Sequence, residues 1–337
     1  PQLLPEMDWT EWKFRRRPEG SALRALAGLL RRPAPVRRAF RLARLLHRRH
    51  EFFKVLRVVE LLGYYARYLT LFRGGRFQLA VMSSHSNPHG IAFNLAARRC
   101  GVPVVLVTHG MPVRPVARLS FELAVVHCEA ARQTYADEGC TMARVLVQGR
   151  RQQHAPMRAE PLPERLAVGL FLCKDVNEER LRALVELLLD DPRVSRVLLR
   201  PHPKNLWRGL AAWVESRRDL RLSLSPGGSV FQDIAASDVV LAGNSSVLVE
   251  AVTAGRPAAY VHGIDHGSPD LHAFVARGLV YHYRDELGFD PGAMQRFYLR
   301  AEWAATLRLF ANIDEDETLV ALRTKDALRE VAREGFR

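Results

Sequence analysis

Beginning at Arg76, short β-rich runs alternate with amphipathic helical runs, and a proline-rich interruption divides the alternation into two sets. Few architectures accommodate this pattern. Strands joined through helices return in parallel by right-handed crossovers, so each set builds a parallel sheet flanked by helices. In the first set FQLAVMSS (77–84), VPVVLVTHG (102–110), FELAVVHC (121–128) and ARVLVQG (143–149) read as strands, with helices over 88–101 and 129–139. In the second AVGLFLC (167–173), VSRVLLR (194–200), LRLSLS (220–225), DVVLAG (238–243) and PAAYV (257–261) read as strands, with helices over 177–191, 205–217, 229–237 and 245–255.

The interruption, RRQQHAPMRAEPLPERL, carries Pro156, Pro161 and Pro163 among charged residues, the composition of a domain linker. A chain of 337 residues also exceeds the usual reach of a single core. The pattern predicts an α/β protein with a helical basic segment over 1–75 and a Rossmann-like domain over 76–150. A linker over 151–163 leads to a second Rossmann-like domain over 164–294, and helices over 295–337 are positioned to pack back on the first domain. Two such domains facing each other put the carboxyl ends of both sheets around one cleft, where open α/β sheets bind ligands.

The formal net charge is +14, and it is uneven: residues 20–50 hold nine arginines and no acid. Phe40, Ala43, Leu46 and Phe53 fall near helical spacing with arginines on the other face, so this segment either packs on the protein's own core or docks on an anionic membrane surface through residues 31–57. Nucleic acid is the weaker reading, because arginine is used throughout the chain and neither a reading helix nor aromatic-studded strands are present. With 48% hydrophobic and 26% charged residues the chain is globular. No apolar run approaches the ~20 residues of a spanning helix, and no signal-peptide pattern is visible at Pro1, so a cytoplasmic protein, peripheral on the inner membrane face if the arginines dock there, is expected. Cys100, Cys128, Cys140 and Cys173 stand singly and read as reduced and structural.

Every notable polar cluster follows a predicted strand. SSHSNPHG (83–90) and THGMP (108–112) do so in the first set, and CKDVNEE (173–179), RPHPKN (200–205) and AGNSSVLVEA (242–251) in the second. In RPHPKN the flanking prolines fix their own φ and bias the preceding residues to extended geometry, so the His202 ring is held in one direction between Arg200 and Lys204. Asn244, Ser245 and Ser246 stand where a strand turns into a helix, suited to capping and to phosphate binding alike.

The His-Pro turn followed by NSSVLVEAVTAGRP resembles the HP and SS motifs of bacterial GT-B transferases that use cytidine nucleotides: sialyl-, polysialyl- and Kdo-transferases and the CDP-glycerol transferases of teichoic acids. The resemblance implies a GT-B fold and a donor phosphate held by His202, Ser245 and Ser246. HGMP is similar to the HG-x-P stretch of teichoic-acid polymerases, which implies His109 as general base. Two departures stand out. Gly243–Asn244 replaces the acid those enzymes carry just before Ser-Ser, and the acidic base motif of sialyltransferases is missing.

Transfer needs an acceptor hydroxyl, a base of near-neutral pKa and neutralisation of the leaving phosphate. A histidine at a strand end suits the base. Arg200, His202, Lys204, Asn244, Ser245 and Ser246 suit the phosphate without a metal or cofactor. Asp175 and Glu178 are second candidates for base or nucleophile, and His85, Asn87 and His89 for acceptor binding; lacking a nearby carboxylate, the two histidines make a poor metal site. The leading expectation is a metal-independent glycosyltransferase moving an acidic sugar, Kdo or sialic-acid type, from a CMP donor to a bacterial surface glycan. Alternatives are a CDP-glycerol or CDP-ribitol phosphotransferase and a nucleotide-sugar 2-epimerase, for which Glu250 is only a partial motif match. A basic nucleic-acid-binding protein and a non-catalytic partner subunit complete the set.

Overall fold

The computed structural model describes residues 52–75, 77–83, 85–108, 110–148, 155, 157, 161–284, 288–312 and 315–334. The arginine-rich stretch through residue 51, His109 and most of the linker therefore lie outside the described residues. Those described divide into two units. One takes the residues up to His127, Ala131–Gln148 and those from Glu315 onward; the other takes Cys128–Ala130 and the residues between Gln148 and Glu315.

The first unit opens with α1 (Phe52–Gly74), then β1 (Ala80–Met82), α2 (Pro88–Arg99), β2 (Val104–Val107), β3 (Ser120–Val126), α3 (Glu129–Asp137) and β4 (Thr141–Val147). Its sheet has the order β1-β2-β3-β4 with every pair parallel. Val104–Leu106 of β2 and Leu123–Val126 of β3 are apolar and buried in succession, as a sheet covered on both faces requires. Between α1 and α2, Phe72 meets Phe77 and Phe93 edge-on at 5.4 and 5.3 Å, and Tyr68 meets Phe93 at 5.1 Å. Such pairs add about 1 kcal/mol each beyond area burial.

The second unit comprises β5 (Leu166–Phe171), α4 (Glu178–Asp190), β6 (Val194–Arg200), α5 (Leu210–Arg217), β7 (Leu222–Leu224), α6 (Val230–Ala235), β8 (Val239–Ala242), α7 (Val247–Thr253), β9 (Ala258–Val261), β10 (Tyr281–Tyr283), α8 (Pro291–Tyr298) and α9 (Trp303–Phe310). The sheet order is β10-β9-β8-β5-β6-β7, again all parallel. In α4, Leu181, Leu184, Val185 and Leu188 recur at spacings of three and four and are fully buried in the core, each burial contributing about 2 kcal/mol. Asn177 starts that helix by accepting the Arg180 N–H at 3.1 Å. The last described element is α10 (Glu317–Glu334), whose Leu328 and Val331 share a buried cluster with Val105, Leu123 and Val125 of the first sheet.

Three elements differ from the sequence pattern. Helix α5 begins at Leu210, not Asn205, because the Leu206 N–H donates to the Lys174 carbonyl and the Trp207 N–H to Asn205 Oδ1, which commits those amides to a loop. The expected C-terminal helical run breaks between Tyr298 and Trp303. Tyr298 donates to the Ala258 carbonyl and Trp303 Nε1 to that of Leu279. Residues five apart point to different faces of a continuous helix, so both anchors are reached only across a break. Strand β10, Tyr-His-Tyr, was not anticipated at all.

Candidate functional site

Chain order reverses in the second sheet between β5 and β8: from β5 the chain runs outward through β6 and β7, and later through β8, β9 and β10 on the other side. Ligands of doubly wound sheets bind outside the carboxyl ends of the strands at such a point. Here the turns after β8, β5 and β6 carry Asn244–Ser246, Asp175 and His202. Strands lie ~4.8 Å apart, so the outer two turns are roughly 10 Å from each other, within reach of one phosphate-bearing ligand.

His202 is exposed on its turn, and its Nδ1 accepts the Lys204 N–H at 3.0 Å while its carbonyl accepts the Asn205 N–H at 2.8 Å. With Nδ1 an acceptor, the ring hydrogen sits on Nε2 and faces solvent. The Pro-His-Pro sequence thus delivers a fixed N–H donor, and the exposed Lys204 stands beside it. Arg200 is placed differently from its neighbours. Its guanidinium donates to the carboxylate of Asp233, to Ser225 Oγ at 3.3 Å and to the Gly228 carbonyl at 2.7 Å, bracing β6 against the chain that follows β7.

After β8, Asn244 has both amide hydrogens engaged, with Asp265 Oδ1 at 2.9 Å and the Ser268 carbonyl at 3.0 Å, while its Oδ1 accepts the Leu271 N–H at 2.7 Å. Its side chain is a knot between loops. Ser245 and Ser246 are the half-exposed hydroxyls at this turn; Ser245 Oγ accepts the Val247 N–H at 3.3 Å, and Ser246 Oγ donates to Glu250 at 3.3 Å. Asp175 is exposed and contributes its carbonyl to the His266 N–H at 3.4 Å. Glu178 is exposed in the first turn of α4, 4.0 Å from Arg182.

The residue that sequence reasoning missed is Asp265. It belongs to the loop after β9, yet its carboxylate lies against Gly243 and Asn244, so an acid does stand just before Ser-Ser, contributed by another strand end. Burial, with the Asp265 carboxylate adding, pushes the Cys173 thiol up to about 12, so it stays protonated.

In the first unit Asn87 caps α2, its Oδ1 accepting the Gly90 N–H at 2.7 Å. His89, in the first turn, meets the Tyr68 hydroxyl through Nε2 at 2.5 Å and packs edge-on against Tyr64 at 5.1 Å. Burial raises the Tyr68 hydroxyl above the tyrosine range and lowers His89 below the histidine range, which favours the neutral form of both. His85 is buried, its ring edge-on to Tyr135 with the hydroxyl 3.1 Å from Nδ1. Thr108, at the end of β2, is buried with no hydrogen-bond partner for its hydroxyl among the described residues, and it immediately precedes His109. Also among the described residues, no three His, Cys, Asp or Glu side chains gather as a metal site, and no helix is long and apolar enough to cross a membrane.

The class these features define is one of fold. No protein-family profile matches the sequence, and no curated protein matches it. Among solved structures the chain is similar to CalG4, the calicheamicin glycosyltransferase, with a TM-score of 0.51 and 16% identity over 80% of this chain and 79% of that one. It is also similar to the glycotransferase of kitacinnamycin, with a TM-score of 0.50 and 11% identity over 81% of this chain and 82% of that one. The two parallel-sheet α/β units have the fold of GT-B glycosyltransferases.

Proposed function

We propose that the protein is a GT-B glycosyltransferase that moves an acidic sugar of Kdo or sialic-acid type from a CMP-activated donor to a bacterial surface-glycan acceptor without a metal ion. The observation that carries this reading is the junction of three polar turns at the neighbouring carboxyl ends of β8, β5 and β6, one of which holds His202 as a fixed Nε2–H donor. In the reaction the acceptor oxygen bonds to the anomeric carbon, the bond from that carbon to the phosphate oxygen breaks, and CMP leaves with the electron pair. His202, Lys204, Ser245 and Ser246 meet the leaving phosphate, with donor hydrogens and one positive charge doing what a cation would otherwise do. Arg200 and Asn244 serve the same site as its frame. His109 takes the acceptor proton, with Asp175 and Glu178 the alternatives, and the segment His85–His89, running into the first turn of α2, receives the acceptor.

The test is release of CMP from CMP-Kdo and CMP-sialic acid, with and without EDTA. Turnover that survives EDTA is the expected result; a strict need for added Mg²⁺ or Mn²⁺ refutes metal independence, and turnover of neither donor refutes the donor class. The basic composition of residues 31–57 supports a peripheral position on anionic lipid. The protein is expected to sediment with phosphatidylglycerol vesicles and to be released by salt, and binding that salt leaves unchanged rules this out.

A second reading has its own support. The carboxylate of Asp265 against Asn244 restores the acid that CDP-glycerol transferases carry before Ser-Ser, which favours transfer of glycerol or ribitol phosphate from a CDP donor. Release of CMP from CDP-glycerol, and from neither CMP-sugar, would select it.

A further inference from the structure

The carboxylate of Asp265 accepts three hydrogen bonds from the turn before Ser245 and from its own loop. Oδ2 accepts the backbone N–H of Asn244 at 2.8 Å, and Oδ1 accepts Asn244 Nδ2 and the Gly267 N–H, each at 2.9 Å. Two glycines close around the carboxylate: a Cβ on Gly243 would stand 2.0 Å from Oδ2, and one on Gly267 would stand 2.8 Å from Oδ1. Neither contact is tolerable, so the backbone at both places approaches the carboxylate as only glycine allows. The loop bearing Asp265 is also pinned to the turn after β5, through the Val176–Asp265 bridge and the Asn177 N–H donating to the Ile264 carbonyl at 3.0 Å.

From this geometry we infer that Asp265 is the positioning residue of the Ser245–Ser246 turn: it fixes the Gly243–Asn244 backbone and so sets the hydroxyls toward the nucleotide phosphate. The inference rests on the proposed function for what the turn holds, and on the hydrogen bonds alone for what Asp265 does. Asp265 touches no ligand in this account. A carboxylate near a phosphate site repels an anion if it is exposed to it, but here its oxygens are occupied by backbone and side-chain donors, and its charge is met by them before a ligand arrives. Neutral asparagine in its place has one oxygen and one NH2, so whichever way the amide turns, an N–H donor of Asn244 or Gly267 faces another donor.

Hydrogen exchange and nucleotide titration of Asp265→Asn test this, with Asp238→Asn as the comparison. Asp238 is a half-buried carboxylate of the same unit that accepts the Ala167 N–H at 2.9 Å, just before β8 and so at the amino end of the strands, opposite the turns that carry the site. In Asp265→Asn the amides of Asn244 and Gly267 are expected to exchange about tenfold faster or more, and affinity for CMP or CDP to fall about tenfold, the effect of one lost charge-assisted bond. Asp238→Asn is expected to lower the melting temperature while leaving both readouts at wild-type values. Double substitution with Asn244→Ala should add little to Asp265→Asn, because the two act as a unit. Unchanged exchange at Asn244 and Gly267 overturns the positioning role whether or not nucleotide binds. If wild type binds no nucleotide, the proposed function falls and exchange alone decides the role of Asp265; if wild type binds and Asp265→Asn binds within twofold of it, the inference falls and the function stands.

Discussion

Arg200→Met is expected to cost about 3 kcal/mol of stability in urea unfolding. The guanidinium side chain is 19% exposed and that of Asp233 7%, and Arg200 donates to that carboxylate, to Ser225 and to Gly228. Methionine fills similar volume but leaves the Asp233 charge with only the Ser225 hydroxyl, at 2.6 Å, among the side chains named. Replacing both partners, Arg200→Met with Asp233→Leu, should recover much of the loss, since an apolar pair leaves no buried charge unmatched. Loss of nucleotide affinity in Arg200→Met at unchanged stability would show instead that Arg200 meets the phosphate directly.

The second large effect is on binding. His202→Ala, and Ser245→Ala with Ser246→Ala, are each expected to weaken nucleotide affinity by about 2 kcal/mol, roughly thirtyfold, through lost hydrogen bonds to a charged group. His202 is exposed and the serines are half-exposed, so the melting temperature should hardly move. Affinity unchanged in both variants removes the phosphate site from the turns after β6 and β8. The contrast with Arg200→Met is informative: Arg200 at the end of β6 and His202 two residues on are predicted to fail in different assays, one in folding and one in binding.

The sequence made the sheets legible because a parallel strand buried on both faces must be a continuous apolar run, and Val239–Ala242 and Ala258–Val261 are such runs bounded by turns. His202 was legible for a local reason, since two prolines constrain one residue whatever the tertiary context. Arg200 and Asn244 looked like ligand-facing residues because their partners, Asp233 and Asp265, lie 33 and 21 residues further along the chain, and nothing in a local pattern reveals a pair at that separation. Asp265 left one trace, the glycines at 243 and 267 that its carboxylate demands, but a glycine after a strand is ordinary until its neighbour is known. The start of α5 differs for a similar reason: the Leu206 N–H is committed to the distant Lys174 carbonyl and the Trp207 N–H to Asn205 Oδ1, and the first of these bonds leaves no local trace.

The central claim is that the second unit holds a cytidine nucleotide at the turns after β8, β5 and β6. Titration calorimetry of the wild-type protein against CMP, CDP, UMP, UDP and GDP, repeated on His202→Ala, tests it most directly. The account predicts that CMP or CDP binds more tightly than the uridine and guanosine nucleotides and that His202→Ala loses roughly thirtyfold for that ligand. Tighter binding of UDP or GDP, or a cytidine affinity untouched by His202→Ala, would contradict it.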